Sequence, residues 1–201
     1  TDAKTFDLLL ETYDGMMQRV KYGTIVNCIA NTDTYSKDRQ AHWDVNYKGV
    51  AELTDFCNYW RVRLIHISSD YVYANSSGVP TEEDVPVHLG TWYGYTKLLG
   101  DAHVQLKSKN YLICRLSHKP YPFPYEQAWT DIKTNGDFVN VIADLIIKLI
   151  EKNANGVFNV GTEVKSIYDL VIKTKNVTPI NKPSYVPNDT SMSLRKLNST
   201  I

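Results

Sequence analysis

The sequence predicts an α/β protein with a doubly wound parallel sheet and a small carboxyl-terminal lobe. Two observations carry this prediction. Short apolar runs that suit buried strands alternate with longer segments whose apolar residues recur at helical spacing. Strands separated by helices pair in parallel through right-handed crossovers. The pattern changes after Leu116, where three prolines fall within residues 120–124, so a second lobe is expected from about residue 118.

Each element of the first part is predicted by its own pattern. Residues 6–20 space their apolar side chains as one face of a helix does, and residues 24–30 form a short apolar run that suits a buried parallel strand. The polar residues 31–38 suit a loop at a strand end, where doubly wound sheets border their ligands. The alternation continues with a helix, a strand, a helix and a strand at residues 45–60, 64–67, 93–106 and 111–116.

The second part follows a different pattern. Residues 118–125 hold three prolines among aromatic residues, which excludes a regular helix or a central strand there. Residues 137–151 are strongly amphipathic and predict a helix. A strand and a helix are predicted at residues 157–160 and 166–174, and the tail from residue 178 is expected to be mostly irregular.

Composition excludes several classes of function. Lys plus Arg and Asp plus Glu both number 22, so the zero net charge gives no basis for binding nucleic acid or a membrane surface. Cys28, Cys57 and Cys114 lie in or beside apolar segments without paired spacing, so we expect reduced core residues of a cytoplasmic protein. The histidines lack metal-ligand spacing, and no metal site is predicted. The longest apolar helix pattern, residues 138–150, is too short to cross a bilayer.

Ser69, Tyr93 and Lys97 form the most informative set in the chain. Ser69 follows an apolar strand pattern, and Tyr93 and Lys97 stand four residues apart at the start of a predicted helix, so both project from one face. This order suits redox chemistry between a ketone and an alcohol: the Ser holds the substrate oxygen, the Tyr transfers the proton, and the Lys ammonium favours the tyrosinate. The alternative is a surface Tyr and a solvated Lys, which the order strand, loop, helix disfavours.

The segments around these residues resemble a known superfamily. Residues 67–86, ISSDYVYANSSGVPTEEDVP, and residues 92–101, WYGYTKLLGD, are similar to the extended short-chain dehydrogenases/reductases. Within that superfamily the likeness is to dTDP-4-dehydrorhamnose reductases and related nucleotide-sugar oxidoreductases. It extends over about residues 24–172, including RLS at residues 115–117 and GVFNVG at residues 156–161.

The resemblance implies a fold, a reaction and a cofactor. Residues 1–117 would be part of a Rossmann-like dinucleotide-binding domain, and residues 118–201 mostly a substrate-binding lobe with elements that return to the first domain. The reaction implied is reduction of the 4-keto group of a nucleotide-activated sugar with NADP or NAD as cofactor. Tyr93 would protonate the developing alkoxide, Ser69 would hydrogen-bond it, and Lys97 would hold the nicotinamide ribose. The resemblance also admits a homodimer.

Further binding residues follow from the resemblance. Ala30, Asn31 and Thr32 end a strand and are expected to face the cofactor, as Tyr93 and Lys97 are.

The residues expected to bind substrate are Ser69, Asp70, Tyr71 and Trp129. Asp70 either hydrogen-bonds the substrate or caps the loop. The aromatic and proline-rich residues 118–125 either connect two lobes or, because aromatic faces stack on sugars, form a wall of the sugar pocket.

Two polar residues have competing interpretations. Asn46 either orders a water or a backbone group near the active site, as a helix Asn of the superfamily does, or lies at the surface. His66 lies within a strand and is expected to be a packed core histidine rather than a ligand.

One comparison inside the superfamily separates two reactions. Nucleotide-sugar dehydratases typically carry Thr-Asp-Glu at this strand end, whereas this chain has Ser69, Asp70 and Tyr71. A tyrosine cannot act as the carboxylate base of water elimination, so a reductase is favoured over a dehydratase. A sugar-nucleotide 4-epimerase remains an alternative because it needs the same Ser, Tyr and Lys. A non-catalytic regulatory or binding subunit is the alternative from another class.

The glycine-rich turn that opens the superfamily's first domain has no counterpart here. No two of the ten glycines form Gly-x-Gly, and none lies between a strand and a helix near the start. The resemblance therefore leads us to expect that the first strands are missing from this chain, through truncation or as a fragment. A relative without redox activity is the third interpretation. The residues that distinguish NADH from NADPH would lie in that part.

Overall fold

The computed structural model describes residues 23–201, and the helix predicted over residues 6–20 lies outside them. Two compact units contain these residues. The first unit consists of the residues up to Ser68 and of Gly90–Ile113, and the second of Ser69–Leu89 and Cys114–Ile201. The predicted α/β class is confirmed by parallel strands that alternate with helices. A functional division at residue 117 stays a prediction.

The first unit is built on parallel strands. Strand β1 (Thr24–Asn27) pairs in parallel with β2 (Arg63–Ile67), and β2 is followed in the sheet by β3 (Tyr111–Arg115), whose first residues belong to this unit. Strand β2 is buried over nearly its whole length, as a parallel strand with neighbours on both sides should be.

Strand β1 differs from its prediction in length and burial. It ends at Asn27 rather than at residue 30, and Val26 is 47% exposed. The exposure has a physical reason: within residues 23–201, β2 is the one strand that pairs with β1, so the outer edge of β1 is not covered by another strand there.

A continuous helical stretch follows the loop after β1. It comprises α1 (Arg39–His42), a π-helical segment (Trp43–Lys48) and α2 (Gly49–Trp60). It begins earlier than the predicted residue 45 because the Asp38 carboxylate accepts a hydrogen bond from the Ala41 amide at 3.1 Å and caps the first turn. It ends where Arg61 adopts a left-handed backbone conformation with φ of 55°.

Helix α3 (Trp92–Lys107) confirms the predicted helix over residues 93–106. The Thr91 hydroxyl accepts a hydrogen bond from the Gly94 amide at 3.2 Å, which fixes the first turn. Gly100 lets α3 approach the π-helical segment closely, since a Cβ atom there would lie 2.7 Å from the backbone oxygen of Asn46. The two helical segments therefore pack backbone against backbone at this point.

The second unit begins with a 3₁₀ turn, Asp70–Tyr73, which the sequence patterns did not predict. Strand β7 (Gly156–Asn159) follows the last residues of β3 in the sheet, and the Val160 amide donates to the Arg115 carbonyl at 2.8 Å. Helix α4 (Val139–Glu151) confirms the amphipathic helix predicted over residues 137–151, two residues shorter at its start.

Two small parallel pairs complete the sheets of this unit. Strand β4 (His118–Lys119) pairs with β6 (Asp137–Phe138), and β5 (Gln127–Trp129) pairs with β8 (Thr178–Ile180). Strands of two or three residues show little periodicity, so the sequence did not predict these long-range pairs.

One prediction near the carboxyl end is corrected and one is confirmed. The predicted helix over residues 166–174 is limited to α5 (Ile167–Val171), whose start is fixed by a capping box between Ser166 and Asp169. The tail from residue 178 is mostly irregular, as predicted, and its regular elements are β8 and a last helix, α6 (Arg195–Thr200).

The second unit has its own apolar core, which α5 and the aromatic segment build together. Its buried members include Phe123, Ala128, Phe138, Leu170 and Val186. None of the helices found within residues 23–201 has the length and apolar content needed to span a bilayer.

Replacing Gly100 by Ala tests the close packing of α3 on the π-helical segment. The added methyl group meets a backbone oxygen, so we expect a loss of about 1–3 kcal/mol in unfolding free energy, against a helix-propensity gain of about 1 kcal/mol. The matched control is Gly90→Ala, because nothing lies within 4 Å of a Cβ atom at Gly90. Urea unfolding of both variants measures the difference. A Gly100→Ala protein as stable as its parent contradicts the packing.

Candidate functional site

The structure distributes the predicted site residues over both units. Tyr93 and Lys97 lie on α3 of the first unit. Residues 30–32, predicted to end a strand, also belong to this unit but lie in the loop after β1, because β1 ends at Asn27. Ser69 belongs to the second unit, together with the other residues predicted to bind substrate, which are Asp70, Tyr71 and Trp129. The joint action of Ser69 with Tyr93 and Lys97 therefore stays a prediction.

Tyr93 and Lys97 stand one turn apart on α3. The Thr91 cap places Tyr93 in the first turn, where its half-buried ring meets the ring of His42 edge to face, with 6.2 Å between the centroids. A position four residues later projects from the same side of a helix. The predicted shared face of Tyr93 and Lys97 is thus supplied by a regular helix.

Lys97 is buried, which corrects the alternative of a solvated lysine. It is 1% exposed, and its ammonium donates a 2.7 Å hydrogen bond to the carbonyl of Ile67 at the end of β2. Burial lowers the Lys97 pKa to about 8, while the negative charge of Asp101 acts in the opposite direction. The ammonium is thereby held in place with a charge that can titrate near the physiological range.

A two-point clamp holds the loop after β1. The Asn46 side-chain oxygen accepts from the Asn31 amide at 2.8 Å, and its side-chain nitrogen donates to the Asn31 carbonyl at 3.0 Å. Asn46 is fully buried in the π-helical segment, so the alternative of a surface Asn is wrong. The clamp fixes Asn31, one of the predicted cofactor-facing residues, in the loop that follows the carboxyl end of β1, where α/β proteins bind ligands.

Ser69 opens the 3₁₀ turn of the second unit. Its hydroxyl accepts from the Tyr71 amide at 3.1 Å and donates to the Asp70 carboxylate at 3.3 Å. Both Ser69 and Asp70 are buried. A hydroxyl has a single proton, so Ser69 must rotate away from Asp70 before it can donate to a substrate oxygen.

Asp70 is a buried carboxyl group with an altered acidity. Burial raises the Asp70 pKa to about 6, and the Lys119 charge and the Ser69 hydroxyl oppose that rise. In turn, burial lowers the Lys119 pKa, and the Asp70 charge opposes this shift. The amide of Asp70 donates to the Leu116 carbonyl at 3.0 Å, which ties the turn to the end of β3.

Trp129 and Lys119 line a cavity of about 400 Å³ in the second unit. The other walls are largely apolar and come from three places: the aromatic segment, the β5 and β8 pair, and α5. These residues are Phe123, Tyr125, Gln127, Ala128, Ile167 and Ile180. The cavity supports the interpretation of residues 118–125 as a pocket wall, because two aromatic rings of that segment face it.

Two polar residues of functional interest, Lys119 and Asp101, escaped the sequence analysis. Lys119 gave no signal, since it stands between prolines and aromatic residues without a recognisable motif. Asp101 lies four residues after Lys97, and this spacing could have indicated a shared helix face. His66 is fully buried as expected, and it lies 3.7 Å from the Asp101 carboxylate through its Nε2 atom.

Comparison with protein families gives a match over more than half of the chain. The model described as RmlD substrate binding domain matches residues 3–119.

Curated relatives with similar sequences are known from bacteria and an archaeon. The chain is 35% identical over 82 residues to a dTDP-4-dehydrorhamnose reductase of Streptomyces griseus, covering 40% of this chain and 27% of the relative. It is 34% identical over 91 residues to a dTDP-4-keto-6-deoxy-D-glucose reductase of Streptomyces niveus, covering 44% and 32%. It is 30% identical over 120 residues to the probable low-salt glycan biosynthesis reductase Agl14 of Haloferax volcanii, covering 58% and 37%. The chain thus spans about a third of the length of these relatives.

Solved structures share the fold at lower sequence identity. A dTDP-4-dehydrorhamnose reductase from Bacillus anthracis in complex with NADP matches with a TM-score of 0.79 at 19% identity, covering 94% of this chain and 78% of that one. A UDP-glucuronic acid 4-epimerase variant from Bacillus cereus in complex with NAD and a substrate analogue matches with a TM-score of 0.74 at 20% identity, covering 92% and 70%. At such identities the likeness shows the fold alone.

Removing the Asn46 side chain tests the clamp on the strand-end loop. Asn46→Ala leaves the amide and the carbonyl of Asn31 without their partner, so we expect a loss of about 1–3 kcal/mol in stability. We also expect the Asn31 amide to exchange with solvent at least about tenfold faster, measured by NMR. Asn58→Ala is the control, because Asn58 is an exposed residue of α2 that donates to the Lys107 carbonyl. Unchanged exchange at Asn31 in the Asn46 variant contradicts the clamp.

Proposed function

Because this chain belongs to the RmlD substrate binding domain family, we propose that it forms the catalytic part of an NAD(P)H-dependent oxidoreductase. The reaction we propose is reduction of the 4-keto group of a nucleotide-activated deoxysugar to the alcohol. Two relatives that support this assignment are named as reductases of dTDP-linked 4-keto sugars. The first part of the chain contributes the dinucleotide-binding residues in this proposal, and residues 118–201 contribute mostly to substrate binding.

The observation that carries the proposal is the buried ammonium of Lys97, one helical turn after Tyr93. A buried lysine costs folding free energy, and a structural role would be filled more cheaply by an apolar residue. An ammonium beside a tyrosine stabilises the tyrosinate that remains after proton transfer. Tyr93 therefore donates its proton to the oxygen at C4 while Lys97 stabilises the resulting anion.

Lys97 and the strand-end loop fit a dinucleotide cofactor. An ammonium has three N–H donors, so after its bond to Ile67 it can also donate to ribose hydroxyl groups. Ala30, Asn31 and Thr32 lie in the loop that follows the carboxyl end of β1, where such cofactors bind, and Asn46 fixes the backbone of Asn31 there. Bound NADPH or NADH supplies the hydride that reduces the carbonyl carbon.

Ser69 acts on the same oxygen in this proposal. Its hydroxyl leaves Asp70 and donates to the C4 oxygen, so negative charge that develops there is stabilised. Asp70 then accepts hydrogen bonds from Tyr71 or from sugar hydroxyl groups, with Lys119 as its counter-charge. Since the Asp70 pKa is raised to about 6, this carboxyl group is ionised at neutral pH.

The cavity lined by Trp129 is our candidate for binding part of the nucleotide sugar. Its aromatic walls offer faces for a sugar or base ring, and the Lys119 amine offers a donor for an oxygen or phosphate. A volume of about 400 Å³ suits one ring system with its substituents rather than the whole substrate.

Location and assembly are also proposals. The thiols of Cys28, Cys57 and Cys114 are free, which is typical of a reducing compartment, so we infer that the protein works in the cytoplasm. A nucleotide sugar is the proposed partner. A homodimer, which the resemblance admits, stays a prediction.

Replacing Tyr93 by Phe tests the proposed proton donor. We expect turnover of a dTDP-4-keto-6-deoxy sugar in the complete gene product to fall by about 10²- to 10⁴-fold, with cofactor affinity retained. Tyr95→Phe is the control, because it removes the same hydroxyl group from a tyrosine two residues later on α3, which lies on another face of the helix. Near-normal turnover in Tyr93→Phe contradicts the assignment.

The same assay separates the competing reactions. A reductase consumes one NADPH or NADH per sugar, whereas an epimerase interconverts two sugars without net consumption of the cofactor. A regulatory or binding subunit shows neither activity in the complete gene product.

Replacing Trp129 by Leu tests the proposed substrate cavity. Loss of an aromatic face that contacts the ligand costs about 1.5 kcal/mol or more, so we expect the KM for the nucleotide sugar to rise by about tenfold. The KM for the cofactor should stay within about twofold. Trp60→Leu at the end of α2 is the control for the loss of one Trp. An unchanged KM for the sugar in the Trp129 variant removes this cavity from the substrate site.

A further inference from the structure

A chain of buried polar side chains runs from β1 to α3 in the first unit. Asn27 ends β1, His66 lies beside it on β2, and Asp101 lies on α3. The Asn27 side-chain nitrogen stands 3.2 Å from His66 Nδ1, and His66 Nε2 stands 3.7 Å from the nearer Asp101 oxygen. All three residues are almost fully buried. Such a chain is costly to bury, so it calls for a physical account.

The two hydrogen bonds of the Asn27 side chain fix the tautomer of His66. The Ile29 amide donates to the Asn27 side-chain oxygen at 3.0 Å, so the Asn27 amide must present its NH₂ group to His66. His66 Nδ1 then accepts, and the ring proton lies on Nε2, the nitrogen that faces Asp101. Burial lowers the His66 pKa well below its usual value, and the Lys97 charge acts in the same direction. His66 is therefore a neutral ring with an N–H directed at a carboxylate.

Asp101 and Lys97 belong to the same face of α3. They stand four residues apart, which is one helical turn, and Tyr93 stands one turn before Lys97. Asp101 is fully buried and Lys97 is 1% exposed, so neither charge is compensated by bulk water. Two opposite charges in such surroundings stabilise each other.

The other titratable groups about Lys97 do not replace this compensation. Cys28, which follows β1, has a pKa raised by burial and lowered by the Lys97 charge, with burial as the larger cause. It is therefore a neutral thiol at neutral pH. His66 on β2 is neutral, and Tyr93 on α3 is the group whose proton is proposed to move. Asp101 is the carboxylate that acts on the Lys97 ammonium from α3.

We propose that Asp101 is a positioning residue that keeps Lys97 in its ammonium form, and that Asn27 and His66 present an N–H to the side of Asp101 that faces β2. Asn27 ends β1, near the loop that is proposed to face the cofactor. The polar chain thereby links this strand end to the charge of Lys97, the lysine that is proposed to hold the cofactor. The effect on catalysis rests on the proposed function, whereas the charge state of Lys97 does not.

The charge of Lys97 can be measured directly in this chain. NMR of ¹³Cε- and ¹⁵N-labelled lysine follows its titration, and the parent should titrate near the value of about 8 that burial imposes. Asp101→Asn removes the negative charge, so the Lys97 pKa should fall by about one pH unit or more, and the ammonium is lost at lower pH. Asp101→Glu keeps a carboxylate, so the Lys97 pKa in this variant should stay close to that of the parent. Asp55→Asn on α2, which is exposed, is the matched control and should leave the Lys97 pKa unchanged.

The outcomes are distinct. An unchanged Lys97 pKa in a folded Asp101→Asn protein overturns the proposal. If Asp101→Asn does not fold, two other measurements test the proposal. The Lys97 pKa is measured in Asp101→Glu, and the ¹⁵N shifts of His66 in the parent must show the proton on Nε2. A proton on Nδ1, or a Glu variant whose Lys97 pKa departs from the parent by more than about one unit, overturns it equally.

Activity separates this proposal from the proposed function. In the complete gene product, Asp101→Asn should move the alkaline limb of kcat/KM to lower pH by the same amount as the Lys97 pKa. A shifted Lys97 pKa with an unshifted pH profile supports the positioning role and counts against the catalytic role of Lys97.

Discussion

The ammonium of Lys97 donates a 2.7 Å hydrogen bond to the Ile67 carbonyl while only 1% of the residue is exposed. Its folded-state pKa of about 8 lies below the ordinary value of 10.5, so burial of the charged form costs stability. Stability is therefore highest above pH 10.5, where the amine is neutral in both states, and it is lost as the pH falls through about 8. At neutral pH the protein therefore carries a buried charge at the expense of stability. Polar groups retained in this way are typical of functional sites.

The surroundings of Lys97 explain other features of the first unit. Gly100 brings α3 against the backbone of the π-helical segment, and that segment places Asn46 where it clamps Asn31. Irregular π-helical turns occur often at functional sites because they redirect side chains that a regular helix would space differently. The close helix packing and the clamp thus both depend on the π-helical segment.

The second unit presents a complementary electrostatic arrangement. Asp70 and Lys119 are each shifted toward their neutral forms by burial, and each charge opposes the shift of the other. Ser69 donates to this carboxylate and caps the 3₁₀ turn that follows. A site of this kind can exchange hydrogen bonds with a polyhydroxylated ligand at little cost, because its donors and acceptors are already paired when the ligand is absent.

The sequence by itself determined the α/β class, the helices from Trp92 and from Val139, and the Tyr93 and Lys97 pair, because strong periodicity and local spacing encode them. Only the tertiary structure decided what is buried. The burial of Asn46, the polar chain from Asn27 to Asp101 and the pairs of two- and three-residue strands all depend on residues far apart in the chain. Local patterns carry no signal for such contacts, since their energies arise from the surroundings that folding creates.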